Sequence, residues 1–224
     1  MHLFSRPHWI RQIISRIAIL WPIKAAGTMA FMAIFFWAYF WVLRNPLFPT
    51  TVMPLIELDA WIPFTPLAFP IYASLWFFVS LPPALLVNTR MLSCYTQWMT
   101  AMCLFCLGIF WLLPTGVPPA IVDWSLYPSI AFIKDADAAG NACPSLHVAS
   151  SVFSAFWLDR VFRVVRVPLV LRWLSGGFCL AILWSTMATR QHVAIDVLAG
   201  TTVGLVFAVL SLRHAMASAR NGEI

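Results

Sequence analysis

The sequence predicts an all-α integral membrane protein, with six transmembrane helices in one bundle and both the N- and C-termini cytoplasmic. Three observations predict it. Charged residues make up only 10% of the 224 residues, and the mean hydropathy is +0.85. A soluble domain carries about 25% charge, so a surface this poor in charge must be covered by lipid. The apolar residues collect into six runs of roughly 20, the length a helix needs to cross the hydrocarbon core. The basic residues fall on alternate sides of those runs. With the N-terminus inside, Arg6, Arg11, Arg16, Lys24, Arg90, Arg160, Arg163, Arg166, Arg172, Arg213 and Arg220 are cytoplasmic, and only Arg44, Lys134 and Arg190 are outside. That bias sets membrane orientation.

The elements follow in order. Residues 1–24 form a cytoplasmic or interfacial segment. Ile10, Ile13, Ile14 and Ile17 recur at helical spacing with Arg11 and Arg16 among them, which suits a short helix on the membrane surface. Arg16 breaks the apolar run and no small-residue cleavage site follows, so this is not a signal peptide. Residues 25–213 form the membrane domain, with spans at 25–43, 66–87, 97–113, 147–165, 170–188 and 193–212. Pro82 and Pro83 lie inside the second span, where a membrane helix accommodates them with a kink. Trp21, Trp41, Trp111 and Trp173 mark span ends, as interfacial anchors do. Residues 214–224 form a cytoplasmic tail.

Composition also excludes some functions. The net charge of +6 sits in short linkers between apolar runs rather than in a patch, so nucleic-acid binding is not expected. Cys103 and Cys106 form a C-x-x-C inside an apolar span with no second pair, and read as small apolar residues. Cys143 is the one cysteine in an outside loop, so no structural disulfide is expected. The two halves show no matching broken helices of the kind transporters use.

His147 opens the fourth span and His192 the sixth. Both spans run inward, so the two histidines share one depth at the outer face. His2, His8 and His214 belong to the opposite side and read as bystanders. Ser145 is placed to cap the fourth helix. Thr189 is expected to cap the sixth, leaving Arg190 and His192 in its first turn. Two helix N-termini beside a cation favour a phosphate. His192 and Asp196 are spaced i, i+4, so the carboxylate can fix the histidine tautomer and raise its basicity. His147 can then protonate a leaving group. No metal or cofactor is required. Ionisable residues at membrane depth are costly, so this concentration at one face reads as functional.

These residues resemble the type-2 phosphatidic acid phosphatase superfamily, membrane branch. Its second motif, P-S-G-H, is similar to Pro144-Ser145-Leu146-His147. Its third, S-R-x5-H-x3-D, is similar to Ser185-Thr186 followed by His192 and Asp196. The resemblance implies a phosphohistidine at His192, with Asp196 as its partner and His147 as general acid. It implies phosphate-binding roles for Ser145, Leu146, Ser185 and Arg190. Leu146 stands where the motif has glycine, and Thr186 where it has arginine; Arg190 is the nearby cation. The first motif, K-x6-R-P, has no basic counterpart in "LLPTGVPPA", near Pro114–Pro119. The variants are closest to the inositol phosphorylceramide and sphingomyelin synthase-like group, which moves a phospho-alcohol between lipids.

The expected function is hydrolysis of lipid phosphate esters in the inner or plasma membrane, with the site on the periplasmic or extracytoplasmic side. The alternatives are a head-group phosphotransferase, which uses an alcohol or lipid acceptor, and a non-catalytic lipid-binding or scaffold protein. The expected partners are a lipid phosphate substrate and membrane lipids. The 114–146 loop, with Lys134, Asp135 and Asp137, is either a solvated connection or a selector of the acceptor.

Overall fold

The computed structural model describes residues 7–136 and 140–220. His2, Arg6 and Asp137, named above, lie outside them. The helices are α1 (His8–Ala18), α2 (Trp21–Arg44), α3 (Glu57–Trp61), α4 (Phe69–Ala73), α5 (Leu75–Leu85), α6 (Thr89–Leu112), α7 (Pro128–Ala136), α8 (Leu146–Val164), α9 (Leu169–Ala188) and α10 (Ala194–Arg220). Two two-residue strands, Thr51–Val52 and Thr115–Gly116, pair in parallel and tie the connection after α2 to the one after α6.

Among the described residues, five stretches are long and apolar enough to cross a membrane: Trp21–Arg44, Pro66–Leu85, Thr89–Leu112, Leu169–Ala188 and Ala194–Ala217. The fourth expected span, 147–165, is α8 and is not one of them. Its Ser150, Ser151 and Ser154, with Asp159, Arg160 and Arg163, make it too polar to join them. The reason is its place in the fold. α8 is the most enclosed helix, with Val148, Ala149, Phe153, Trp157 and Leu158 no more than 1% exposed. Its hydroxyls are satisfied internally: Ser151 donates to the His147 carbonyl at 2.9 Å, and Ser154 meets the Tyr95 hydroxyl at 3.3 Å. A helix surrounded by protein can carry polarity that a lipid-facing one cannot.

Other boundaries also differ from expectation. The third span begins at Thr89, where Asn88 caps α6 by accepting from the Met91 N–H at 2.7 Å. Pro82 and Pro83 lie within α5, and the break in the second span falls earlier, at Ser74 between α4 and α5. α10 runs on to Arg220, through residues assigned to a tail.

The closest helix contact is α8 against α10. A methyl group on Gly200 would lie 2.4 Å from the Ser145 carbonyl oxygen, and one on Gly204 would lie 2.5 Å from that of Ala149. Glycines four apart let two backbones touch, as membrane helices without a hydrophobic driving force require. The stripe continues through Ala208, fully buried, to Ser211, whose hydroxyl accepts from the Trp157 indole N–H at 2.9 Å.

α2 is held differently. It buries only Lys24 at one end and Tyr39 and Val42 at the other. Lys24 donates to the Arg16 and Ala84 carbonyls at 2.7 and 2.8 Å, and the Asn141 amide donates to the Tyr39 hydroxyl. Between these anchors Phe31, Phe35 and Phe36 are partly buried against the core, and the Phe36 ring meets that of Trp76 at 5.3 Å.

A side chain at Gly204 has no room because backbone atoms oppose it. Gly204→Val is expected to cost about 1–3 kcal/mol, the usual penalty of overpacking. It should lower the melting temperature in detergent by several degrees, whereas Gly176→Val, with open space around it, should change it little.

Candidate active site

The α8–α10 contact brings the two histidines together. Ser145 caps α8, accepting from the Val148 N–H at 3.3 Å, and its own N–H donates to the Asp196 carbonyl at 3.0 Å. One residue pair thus joins the starts of both helices. His147 Nδ1 lies 3.3 Å from His192 Nε2. His192 Nδ1 lies 3.6 Å from Asp196 Oδ2, within ion-pair distance but long for a hydrogen bond. Tyr72 on α4 places its hydroxyl 3.2 Å from His147 Nε2. One assignment of protons satisfies this row: the tyrosine donates to His147 Nε2, His147 Nδ1–H donates to His192 Nε2, and His192 Nδ1–H faces the carboxylate. It leaves His192 Nε2 with its lone pair toward His147.

The loop before α10 differs from the expectation. Thr189 ends α9 rather than starting α10: its hydroxyl donates back to the Ser185 carbonyl at 2.7 Å. α10 begins at Ala194, so Arg190 and His192 precede the helix and do not lie in its first turn. The loop is shaped by one carbonyl. Thr186 O accepts from both the Gln191 and His192 N–H groups, at 2.9 and 3.1 Å. Arg190 sits just past the helix end with φ of 58°, the left-handed position where glycine is preferred. Asp196 Oδ2 accepts from the Val193 N–H at 3.1 Å, so the carboxylate also holds the start of its own helix. Asp196 is fully buried, and its Oδ1 finds no hydrogen-bond partner among the described residues.

Two site residues were not anticipated from the sequence. Tyr72 is one; the other is Asp59 on α3, 6% exposed. Asp59 Oδ1 accepts from the Ala194 N–H at 2.8 Å and Oδ2 from the Ile56 N–H at 2.9 Å. It anchors the first turn of α10 from 135 residues away. The signals were faint: a tyrosine among four in the chain, and an acid in an apolar connector.

The other expected site residues are placed as follows. Leu146 opens α8 and is 8% exposed. Ser185 is buried, and its hydroxyl donates to the Ile182 carbonyl at 2.6 Å, so it serves its own helix. Arg190 is half-buried, and its guanidinium makes no hydrogen bond or ion pair to a described residue. Lys134 on α7 donates to the Arg190 carbonyl at 3.2 Å and lies over the Trp124 ring at 5.4 Å. It brings a second cation to the loop. Gln191 is buried with its amide nitrogen unpartnered among the described residues. Among them, no cluster of three or more His, Cys, Asp or Glu is placed to hold a metal ion. All five cysteines are free.

Burial, and then Asp196 nearby, push the Cys143 thiol up to about 11. It should therefore alkylate more slowly at pH 8 than an ordinary thiol with a pKa of about 8.5, as timed iodoacetamide labelling and peptide mapping would show. Removing the Asp59 anchor should loosen the loop before α10. Asp59→Ala is expected to cost about 1–2 kcal/mol of stability, as the loss of a helix cap does. It should also lower activity more than Asp59→Asn, whose side-chain oxygen can still accept from one of the two N–H groups.

No curated protein and no solved structure matches the chain significantly. A family model does: the PAP2 superfamily, over residues 58–210. The match begins next to Asp59 and takes in both histidines and Asp196. On this match, which covers more than half of the chain, the protein belongs to the PAP2 superfamily, whose members carry out phosphatase or phosphotransferase chemistry.

Proposed function

We propose that this protein is a metal-independent lipid phosphate phosphatase of the membrane, working through a phosphohistidine at His192. The observation that carries this reading is the contact of His147 Nδ1 with His192 Nε2 at 3.3 Å, with Asp196 behind the second ring. The phosphoryl group takes the place of that hydrogen bond. His192 Nε2 attacks phosphorus, and the bond to the ester oxygen breaks. His147, protonated on both nitrogens for this step, gives its Nδ1 proton to the departing alcohol while its Nε2–H donates to the Tyr72 hydroxyl oxygen. Asp196 stabilises the cation that forms on His192. Water then attacks the phosphohistidine, passing a proton to His147 and freeing His192.

Arg190 and Lys134 supply the positive charge. The backbone of Arg190 favours the view that its side chain is needed: an arginine in a conformation where glycine is preferred points to function. The excess of basic residues on the expected cytoplasmic side supports α8 as a further crossing, the fourth in chain order, and the site on the extracytoplasmic face.

A second reading rests on the same geometry. The glycine and arginine of the family motifs are Leu146 and Thr186 here, and Thr186 is buried with its hydroxyl donated to the Leu183 carbonyl at 2.8 Å. A phosphodiester carries less charge than a terminal phosphate and needs fewer cations. An alcohol in place of water would make the enzyme a head-group phosphotransferase. A non-catalytic lipid-binding protein would have no use for the histidine pair.

Purified protein is offered phosphatidic acid, an isoprenyl diphosphate and a phosphodiester lipid in turn, with and without ceramide or diacylglycerol, and products are followed by mass spectrometry. Free phosphate, lost in His192→Ala, is the expected result. A new phospholipid formed only with an acceptor would mark the transferase. No turnover by wild type would leave the non-catalytic reading. His147→Ala should lower kcat by about a hundredfold or more, the range of general acid catalysis. Arg190→Gly keeps the turn but removes the cation, and should raise KM about tenfold, as loss of a charged hydrogen bond does.

A further inference from the structure

Between α2 and the face made by α5, α6 and α8 lies a cavity of about 630 Å³. His147 lines one end and Lys24 the other. Its walls are mostly apolar, with Phe35, Leu75, Val79 and Met99 among them. α2 forms one wall, and Phe36 on it packs against Trp76 of α5, ring centroids 5.3 Å apart. At the far end the Lys24 ammonium is bonded to the Arg16 and Ala84 carbonyls, which closes the floor with protein groups.

The dimensions select the occupant. Lys24 and Tyr39 are fifteen residues apart on α2, about 22 Å at 1.5 Å per residue. An extended hydrocarbon advances about 1.25 Å per bond, given C–C bonds of roughly 1.5 Å and angles near 111°. The length therefore matches a chain of about sixteen to eighteen carbons. Taking each methylene as about the size of a water, ~30 Å³, one such chain needs about 500 Å³ and is accommodated. We propose that this cavity holds a hydrocarbon chain of a lipid phosphate, of about sixteen to eighteen carbons, with its head at His147 and Lys24 as its floor. The assignment rests on the lipid phosphate reading of the histidine site and adds the tail to it.

Gly27 makes this testable. It lines the cavity partway along α2, and a Cβ there meets nothing within 4 Å. Gly27→Phe should fill the passage without disturbing a packed contact. Met29, 66% exposed and outside the cavity lining, gives the control Met29→Phe. The probe is a lysophosphatidic acid whose palmitoyl chain ends in a diazirine, photolysed on the full chain in detergent, with labelled residues mapped by mass spectrometry. Turnover is measured alongside with palmitoyl and hexanoyl lysophosphatidic acid.

Label on cavity-lining residues near Lys24 in wild type and Met29→Phe, reduced about tenfold in Gly27→Phe, is expected; tenfold corresponds to a modest steric penalty. Palmitoyl turnover should fall by about the same factor in Gly27→Phe, while hexanoyl turnover stays within about twofold. Label spread over outward-facing helix surfaces, or unchanged in Gly27→Phe, overturns the proposal even if the enzyme is active. Label in the cavity without turnover of either lipid supports the chain site and refutes the enzymatic reading.

Discussion

The starts of α8 and α10 must touch, backbone to backbone, for the site to exist. His147 and His192 come from segments 45 residues apart, and neither is held by a local motif alone. Gly200 and Gly204 remove the side chains that would keep the two helices apart. The Ser145 N–H then reaches the Asp196 carbonyl, and the histidines that follow Ser145 and precede Asp196 fall within hydrogen-bond distance. Small residues are a common means of close approach between membrane helices. Here the same approach sets the distance between the His147 and His192 rings.

Around that contact, buried polar groups are used to fix the loop that carries His192. Thr186 lends one carbonyl to two N–H groups, Asp59 holds the Ala194 N–H from another element, and Asp196 holds Val193. Each bond satisfies a backbone group that would be costly to leave unpaired. Together they determine where the imidazole points. In the proposed function, the charge that a phosphate needs is left to side chains outside this network, Arg190 above all. Positioning and charge are therefore separable, which is why a glycine at 190 can test one without the other.

Much of this was legible in the sequence. Five of the six expected spans followed from apolar runs, and the contact of His147 with His192 followed from the alternation of apolar runs and linkers. Ser145 was readable as a cap because serine before an apolar run has few other uses. Thr189 misled for the same reason: a threonine before a helix looks like an N-cap, but here it is the C-cap of the preceding helix. Asp59 and Tyr72 were illegible because their partners, Ala194 and His147, are brought to them only by the fold. Gly200 and Gly204 did carry a visible G-x-x-x-G signal, yet spacing alone does not say which helix the glycines face. α8 showed the limit of hydropathy: a helix enclosed by its neighbours can look less like a span than those that enclose it.

The proposed chemistry depends on His192 Nε2 as the nucleophile. The most direct measurement is to trap it. Radiolabelled phosphatidic acid is mixed briefly with the protein, the reaction is denatured in alkali to preserve a phosphoramidate, and the labelled peptide is sequenced. Phosphate on His192, stable to alkali, labile to acid and absent from His192→Ala, is expected. Turnover with label on another residue, or with His192→Ala still active, would contradict it.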